Sequence, residues 1–104
     1  MAIKLTNQML PYRSFHVGEY IDEDMKSLGL KQIELVRKME MPASNLNAII
    51  NGKRNITVGI AIKLESVFGT PADIWLGLQD KYEIENAIRS LQNKTDKNVM
   101  SGRI

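Results

Sequence analysis

The chain has 104 residues, 43% hydrophobic and 25% charged, with 3 prolines and a net charge of +2. That is one domain of ordinary globular sequence, long enough to bury roughly 60 to 70% of the surface its unfolded form exposes. With 0 cysteines there is no disulfide framework and no thiolate zinc site, and no apolar run approaches the ~20 residues of a membrane span or the core of a signal peptide. The expectation is a soluble, cytoplasmic protein with no membrane partner.

Residues 1–15 carry Ile3, Leu5, Met9, Leu10 and Phe15 without sustained periodicity and read as an N-terminal arm that packs or pairs with a partner. A first helix is expected near 18–28. Val17, Ile21, Met25 and Leu28 recur at helical spacing, early carboxylates suit the positive end of the helix dipole, and Gly29 stops it.

Gln32 to Arg54, QIELVRKMEMPASNLNAIINGKR, lays two short helical patterns around a turn. In the first, Leu35, Val36 and Met39 make the apolar side; in the second, Pro42 suits the first helical position and Leu46, Ile49 and Ile50 make the next apolar stripe before Gly52. This is the layout of a helix-turn-helix DNA reader. The outward residues, Ala43, Ser44, Asn45, Asn47, Ala48 and Asn51, are small or carry amides, so backbone can approach a groove and side chains can meet base edges. Lys53 and Arg54 follow where a loop meets phosphate.

A fourth helix begins at Thr57 as N-cap, with Ile60, Ala61, Leu64, Val67 and Phe68 on one face and Gly69 as its end. The fifth opens on Thr70-Pro71-Ala72-Asp73, where Thr70 caps, Pro71 enters the first turn and Asp73 closes a capping box. Ile74, Trp75, Leu78 and Tyr82 form a stripe expected to pack on the domain. Leu76 lies off that stripe, and Ile84, Ala87, Ile88 and Leu91 run past the end of the core. Apolar surface that one domain cannot cover serves a partner, so Leu76, Ile84, Ile88 and Leu91 are the expected contacts of a two-fold homodimer. Residues 92–104 are polar and aperiodic and are expected to be a mobile tail. The domain proper is thus 16–91.

Charge is unevenly placed. Lys31 to Arg54 holds five basic residues against two acidic, hence +3, while residues 16–30 hold four acidic against one basic, hence −3. The acidic side chains Asp22, Glu23 and Asp24 are expected to face away from DNA and to suit a basic protein partner. No Gly-rich phosphate loop, Ser/His/Asp set or metal-ligand spacing occurs. His16 is the only histidine, and the carboxylate cluster has no Gly-bearing chelating loop. The sequence is read as that of a non-enzyme without cofactor or metal.

Three segments together carry a family resemblance. They are His16-Val17-Gly18-Glu19, then Ile49-Ile50-Asn51-Gly52-Lys53-Arg54-Asn55-Ile56-Thr57, then Thr70-Pro71-Ala72-Asp73-Ile74-Trp75-Leu76-Gly77-Leu78-Gln79. Across residues 15–90 the chain resembles the HigA-type antitoxins, a branch of the Xre, lambda-repressor-like helix-turn-helix proteins. The resemblance implies an all-α, five-helix lambda-repressor-like domain that dimerises, binds a palindromic operator in its own promoter and neutralises an mRNA-cleaving toxin of the HigB/RelE kind. It also implies that Gln32 anchors a phosphate at the start of the second helix.

Four positions depart from the family pattern. Val17 stands where Pro is usual, Val36 where a small residue is usual, and Lys31 replaces the Ser or Thr cap of helix two. Glu40 stands where the turn asks for a left-handed residue and glycine is usual, at a cost on the order of 1 kcal/mol. Arginine is absent from the reading face, which leaves Asn45 and Asn47 as the expected adenine readers, with Ser44 beside them and Ala43 or Ala48 against thymine methyls. Two other readings fit the same residues: a toxin-binding module whose DNA reader is weakened at Glu40 and Val36, and an orphan Xre-type regulator without a toxin.

Overall fold

The computed structural model describes residues 14–102, with side chains through Gln92. It contains α1 Val17–Leu28, α2 Gln32–Met39, α3 Ala43–Ile50, α4 Val58–Phe68 and α5 Ala72–Gly102. The described residues hold five helices and no strand, as expected. Ile3, Leu5, Met9 and Leu10 of the arm lie outside the described residues.

One core joins all five helices: Val17, Ile21 and Met25 of α1, Leu35 and Met39 of α2, Leu46 and Ile49 of α3, Ile56, Ala61 and Leu64 at α4, and Trp75 of α5. Two apolar residues assigned to inward faces are not in it. Leu28 is 63% exposed and Ile74 is 49% exposed. At the ends of their helices both fall beyond the reach of a facing element, so periodicity alone placed them wrongly. Leu76 and Leu78 instead pack against the core, and Trp75 is 1% exposed.

α1 crosses α3 at Gly18. A Cβ there would lie 2.6 Å from the Ile50 carbonyl oxygen and 2.7 Å from Ile50 Cα, and closer still to the Ile49 carbonyl oxygen. Only glycine lets the two backbones meet at this distance, and the contact fixes how far α3 stands from α1. His16 precedes it as N-cap, its backbone N–H donating to Glu19 Oε2 at 3.3 Å.

The ends of the helices follow local chemistry. Gly29 and Gly69 take left-handed conformations, φ 66° and 84°, after α1 and α4. Thr57 caps α4 by accepting the Ile60 N–H at 3.2 Å. Lys31 has no side-chain acceptor, so α2 is capped from the other side, the Lys31 N–H donating to Glu34 Oε1 at 2.7 Å. Pro42 is the residue before α3 rather than its first, with ψ 140°. The expected Thr70–Asp73 box at α5 is replaced by a tertiary cap, in which the Ala72 N–H donates to Glu65 Oε1 of α4 at 2.9 Å. α5 also continues past residue 91, where the sequence reading began the tail, to Gly102.

Glu40 has φ 49° and ψ 53°, the one non-glycine residue with positive φ among the described residues. The turn between α2 and α3 therefore has the left-handed geometry that the motif requires, held by a residue with a Cβ. The Glu40 carbonyl accepts from Lys63 Nζ at 3.4 Å, a bond that glycine would keep. Glu40→Gly is expected to raise stability by about 0.5 kcal/mol, the relieved strain exceeding the added unfolded-state entropy. A lower midpoint in urea unfolding would count against strain at this turn.

Gln79 of α5 is 9% exposed and clamps the loop before α4. Its Oε1 accepts the Ile56 N–H at 2.6 Å and its Nε2 donates to the Ile56 carbonyl at 3.0 Å. Gln79→Leu would leave both backbone groups buried and unpaired, at an expected cost of about 2 to 4 kcal/mol. Chemical denaturation of the variant measures this directly, and a loss below about 1 kcal/mol would mean that the loop finds other partners.

Candidate nucleic-acid interface

α2 and α3 form the helix-turn-helix. Leu46 and Ile49 are fully buried, and this turns the opposite side of α3 to solvent. Ala43, Ser44 and Asn47 are exposed, Asn45 and Ala48 partly so, and Asn51 is exposed one residue past the helix. The turn that follows, with Gly52 at φ 77°, carries exposed Lys53 and Arg54. A Cβ on Gly52 would meet His16 Nε2 at 2.9 Å, so glycine here supplies both the left-handed turn and the room for His16. His16 in turn sets its ring edge-on to Tyr82 of α5, centroids 5.8 Å apart. The exit of α3 is thus wedged between the start of α1 and the middle of α5.

The structure brings five of the nine expected DNA-facing residues into two polar groups. Asn47 Oδ1 accepts from Gln32 Nε2 at 3.5 Å and from Asn51 Nδ2 at 3.2 Å, which joins the start of α2 to the end of α3. Arg54 Nη1 donates to Asn45 Oδ1 at 2.6 Å. Lys53 stays on the turn, its N–H bonded to the Ala48 carbonyl at 2.8 Å, while Ala43, Ser44 and Ala48 supply small surface between the amides. Arg54 is the main gain over the sequence reading. Placed in the loop as a phosphate contact, it lies folded back across the face of α3, and nine residues of separation hid that approach.

The acidic face of α1 lies closer to this surface than expected. A groove of about 620 Å³ has Glu19, Asp22 and Glu23 on one wall and Gln32, Asn47 and Asn51 on the other. Asp22 is partly neutralised by Lys26 at 3.0 Å. The carboxylates border the reading face instead of pointing away from it, and the groove that they line does not include the cations Lys53 and Arg54.

The remaining expected contacts lie on α5. Ile84 is 58% and Leu91 63% exposed, and at 100° per residue these two share a side with the partly buried Ile88. Leu76 is turned elsewhere, packed against its own core, about a quarter-turn from that stripe by helical geometry. Its side chain belongs mainly to the domain interior. Residues the sequence reading passed over hold this part of α5 in place. Ser14, 6% exposed, donates to Glu85 Oε1 at 2.6 Å and accepts from Arg89 Nη1 at 2.6 Å, while Asn55 Nδ2 donates to Glu83 Oε2 at 2.7 Å. No local pattern marks them, since each partner is distant in sequence.

Among the described residues no group of His, Cys, Asp or Glu is arranged to hold a metal ion, and no helix is long and apolar enough to cross a membrane. Residues 21–75 match the helix-turn-helix family HTH_3. Virulence-associated protein I of Dichelobacter nodosus is 31% identical over 94 residues, covering 89% of this chain and 85% of that protein. An addiction module antidote protein of the HigA family from Coxiella burnetii has a similar structure, with a TM-score of 0.74 at 35% identity over 82% of this chain and 94% of that one. The Pseudomonas aeruginosa antitoxin HigA, solved with the higBA promoter, superimposes with a TM-score of 0.72 at 28% identity, over 82% of this chain and 94% of its own. With its bundle, its turn geometry and these likenesses, the chain belongs to the Xre-like helix-turn-helix family HTH_3, and its structural neighbours are HigA-family antitoxins.

Proposed function

We propose that this protein is a sequence-specific DNA-binding autorepressor that acts as a two-fold homodimer and as the antitoxin of a HigB/RelE-like mRNA-cleaving toxin. The observation that carries the DNA half is the exposed face of α3. Amide and small side chains stand clear of the core there, a cationic turn follows, and the same bundle in the Pseudomonas aeruginosa antitoxin was solved with promoter DNA. Lys53 and Arg54 attract phosphate, Gln32 anchors a phosphate at the start of α2, and Asn45, Asn47 and Asn51, with Ala43, Ser44 and Ala48, meet base edges. The toxin half rests on the likeness to an addiction module antidote. A neighbouring reading frame encoding a small basic RelE-like protein, whose growth arrest is relieved by co-expression of this chain, is the direct test of that half.

The reader's charge makes binding salt-dependent. Affinity for the protein's own promoter is expected to fall steeply as salt rises, and Lys53→Ala or Arg54→Ala to weaken all duplexes, each reducing the salt slope by about 1. A gel-shift titration that shows no preference for the promoter over random duplex would remove the repressor reading and leave a toxin-binding module or an orphan regulator.

Two readers on a palindrome need a dimer, with half-sites about one helical turn, roughly 34 Å, apart. The exposed stripe of Ile84, Ile88 and Leu91 is the proposed interface, with Leu76 contributing at most its exposed edge. Ile84→Asp with Ile88→Asp is expected to give a folded monomer that binds operator poorly. Light scattering that still reports a dimer would place the interface on another surface.

A further inference from the structure

We infer that Gln32 and Asn51 hold Asn47 with its amide N–H groups outward, so that Asn47 selects a base presenting acceptors in the major groove, guanine first, instead of adenine. The inference rests on the DNA-reading function proposed above and deepens it by naming the base class. A carboxamide has an oxygen with two lone pairs and an NH₂ with two donors. Asn47 Oδ1 accepts from Asn51 Nδ2 at 3.2 Å and from Gln32 Nε2 at 3.5 Å, and the two donors come from different elements, the turn after α3 and the start of α2. Both lone pairs are thereby engaged. What Asn47, itself exposed, has left to offer is Nδ2 with its two N–H groups.

The four bases answer that array differently. Adenine presents N7 as acceptor and N6 as donor, so an asparagine reads it with oxygen and nitrogen together, and Asn47 could do so only by giving up one of its internal bonds. Cytosine presents a donor alone. Guanine presents O6 and N7, acceptors side by side, and thymine presents O4. An amide with its oxygen occupied therefore favours guanine, whose two acceptors lie side by side, over an adenine–thymine pair, in which each base offers it a single acceptor. Gln32 and Asn51 act here as positioning residues, since they set which atoms of Asn47 reach the groove.

The test is selection of preferred duplexes from a randomised pool, followed by anisotropy titration of single-base variants with the wild-type protein, Asn47→Ala and the double variant Gln32→Ala with Asn51→Ala. The base pair whose discrimination is lost in Asn47→Ala is the one Asn47 reads. A guanine–cytosine pair is expected there, about tenfold or more above an adenine–thymine pair. The double variant frees Asn47 Oδ1 and is expected to lose that preference or to move it toward adenine. Circular dichroism should show its fold intact, because neither side chain is buried. An adenine–thymine pair preferred at that position in the wild type, a guanine preference unchanged in the double variant, or no change of discrimination in Asn47→Ala would each overturn the inference. A wild-type protein with no preferred sequence at all would overturn the DNA-reading function, and this inference with it.

Discussion

The contact between the backbone of Gly18 and the carbonyl ends of Ile49 and Ile50 is the constraint on which the reading surface depends. An eight-residue helix such as α3 has little stability alone, because the cost of nucleation is spread over few hydrogen bonds. Its existence and its direction come from burying Leu46 and Ile49, and they are buried because α1 approaches without a side chain in between. His16, Gly52 and Tyr82 extend the same contact toward α5. The exposed amides can face one way only while this junction holds.

Two devices then set the approach of α3 relative to α2 and to the loop beyond it. Glu40 accepts a left-handed conformation at the turn, which lets the chain change direction within the three residues between α2 and α3 and brings Gln32 across to Asn47. Gln79 satisfies both backbone groups of Ile56 from the buried side of α5. That clamp fixes by its backbone the same segment that the buried Ile56 side chain and the Asn55–Glu83 bond hold to the core and to α5. Strain at one end and a buried polar pair at the other are the kinds of local cost that a binding surface carries when its geometry is prescribed.

α5 presents two sides of different character. One side of it, through Trp75 and Gln79, closes the core and holds the loop, while Ile84 and Leu91 lie on the opposite side, exposed. These apolar residues stay exposed on the outer side of a helix whose inner side is already engaged with the core. The carboxylates of α1 border the amides on one side, and the cationic turn with Lys53 and Arg54 lies outside that groove.

Helix existence, most helix ends and the outward set on α3 were legible in the sequence, because apolar periodicity, glycine stops and the Thr57 cap are local signals that tertiary packing did not override. The left-handed turn at Glu40 was legible too, through the resemblance, since the family pattern has glycine at that position. What periodicity could not resolve was burial near helix ends: Leu28 and Ile74 have the spacing of core residues but no element opposite them, while Leu76, off the expected stripe, packs on the core. Nor could it place the Glu65 cap, the Gln79 clamp or the Ser14–Glu85–Arg89 group, whose partners lie seven to 75 residues apart. The same limit applied to the reading face. Its residues follow from which side of α3 is apolar, a property of the sequence by itself. The bonding of Asn47 to Gln32 and of Asn45 to Arg54 was decided only by the tertiary structure, because hydrogen bonds between side chains depend on where separate helices come to rest.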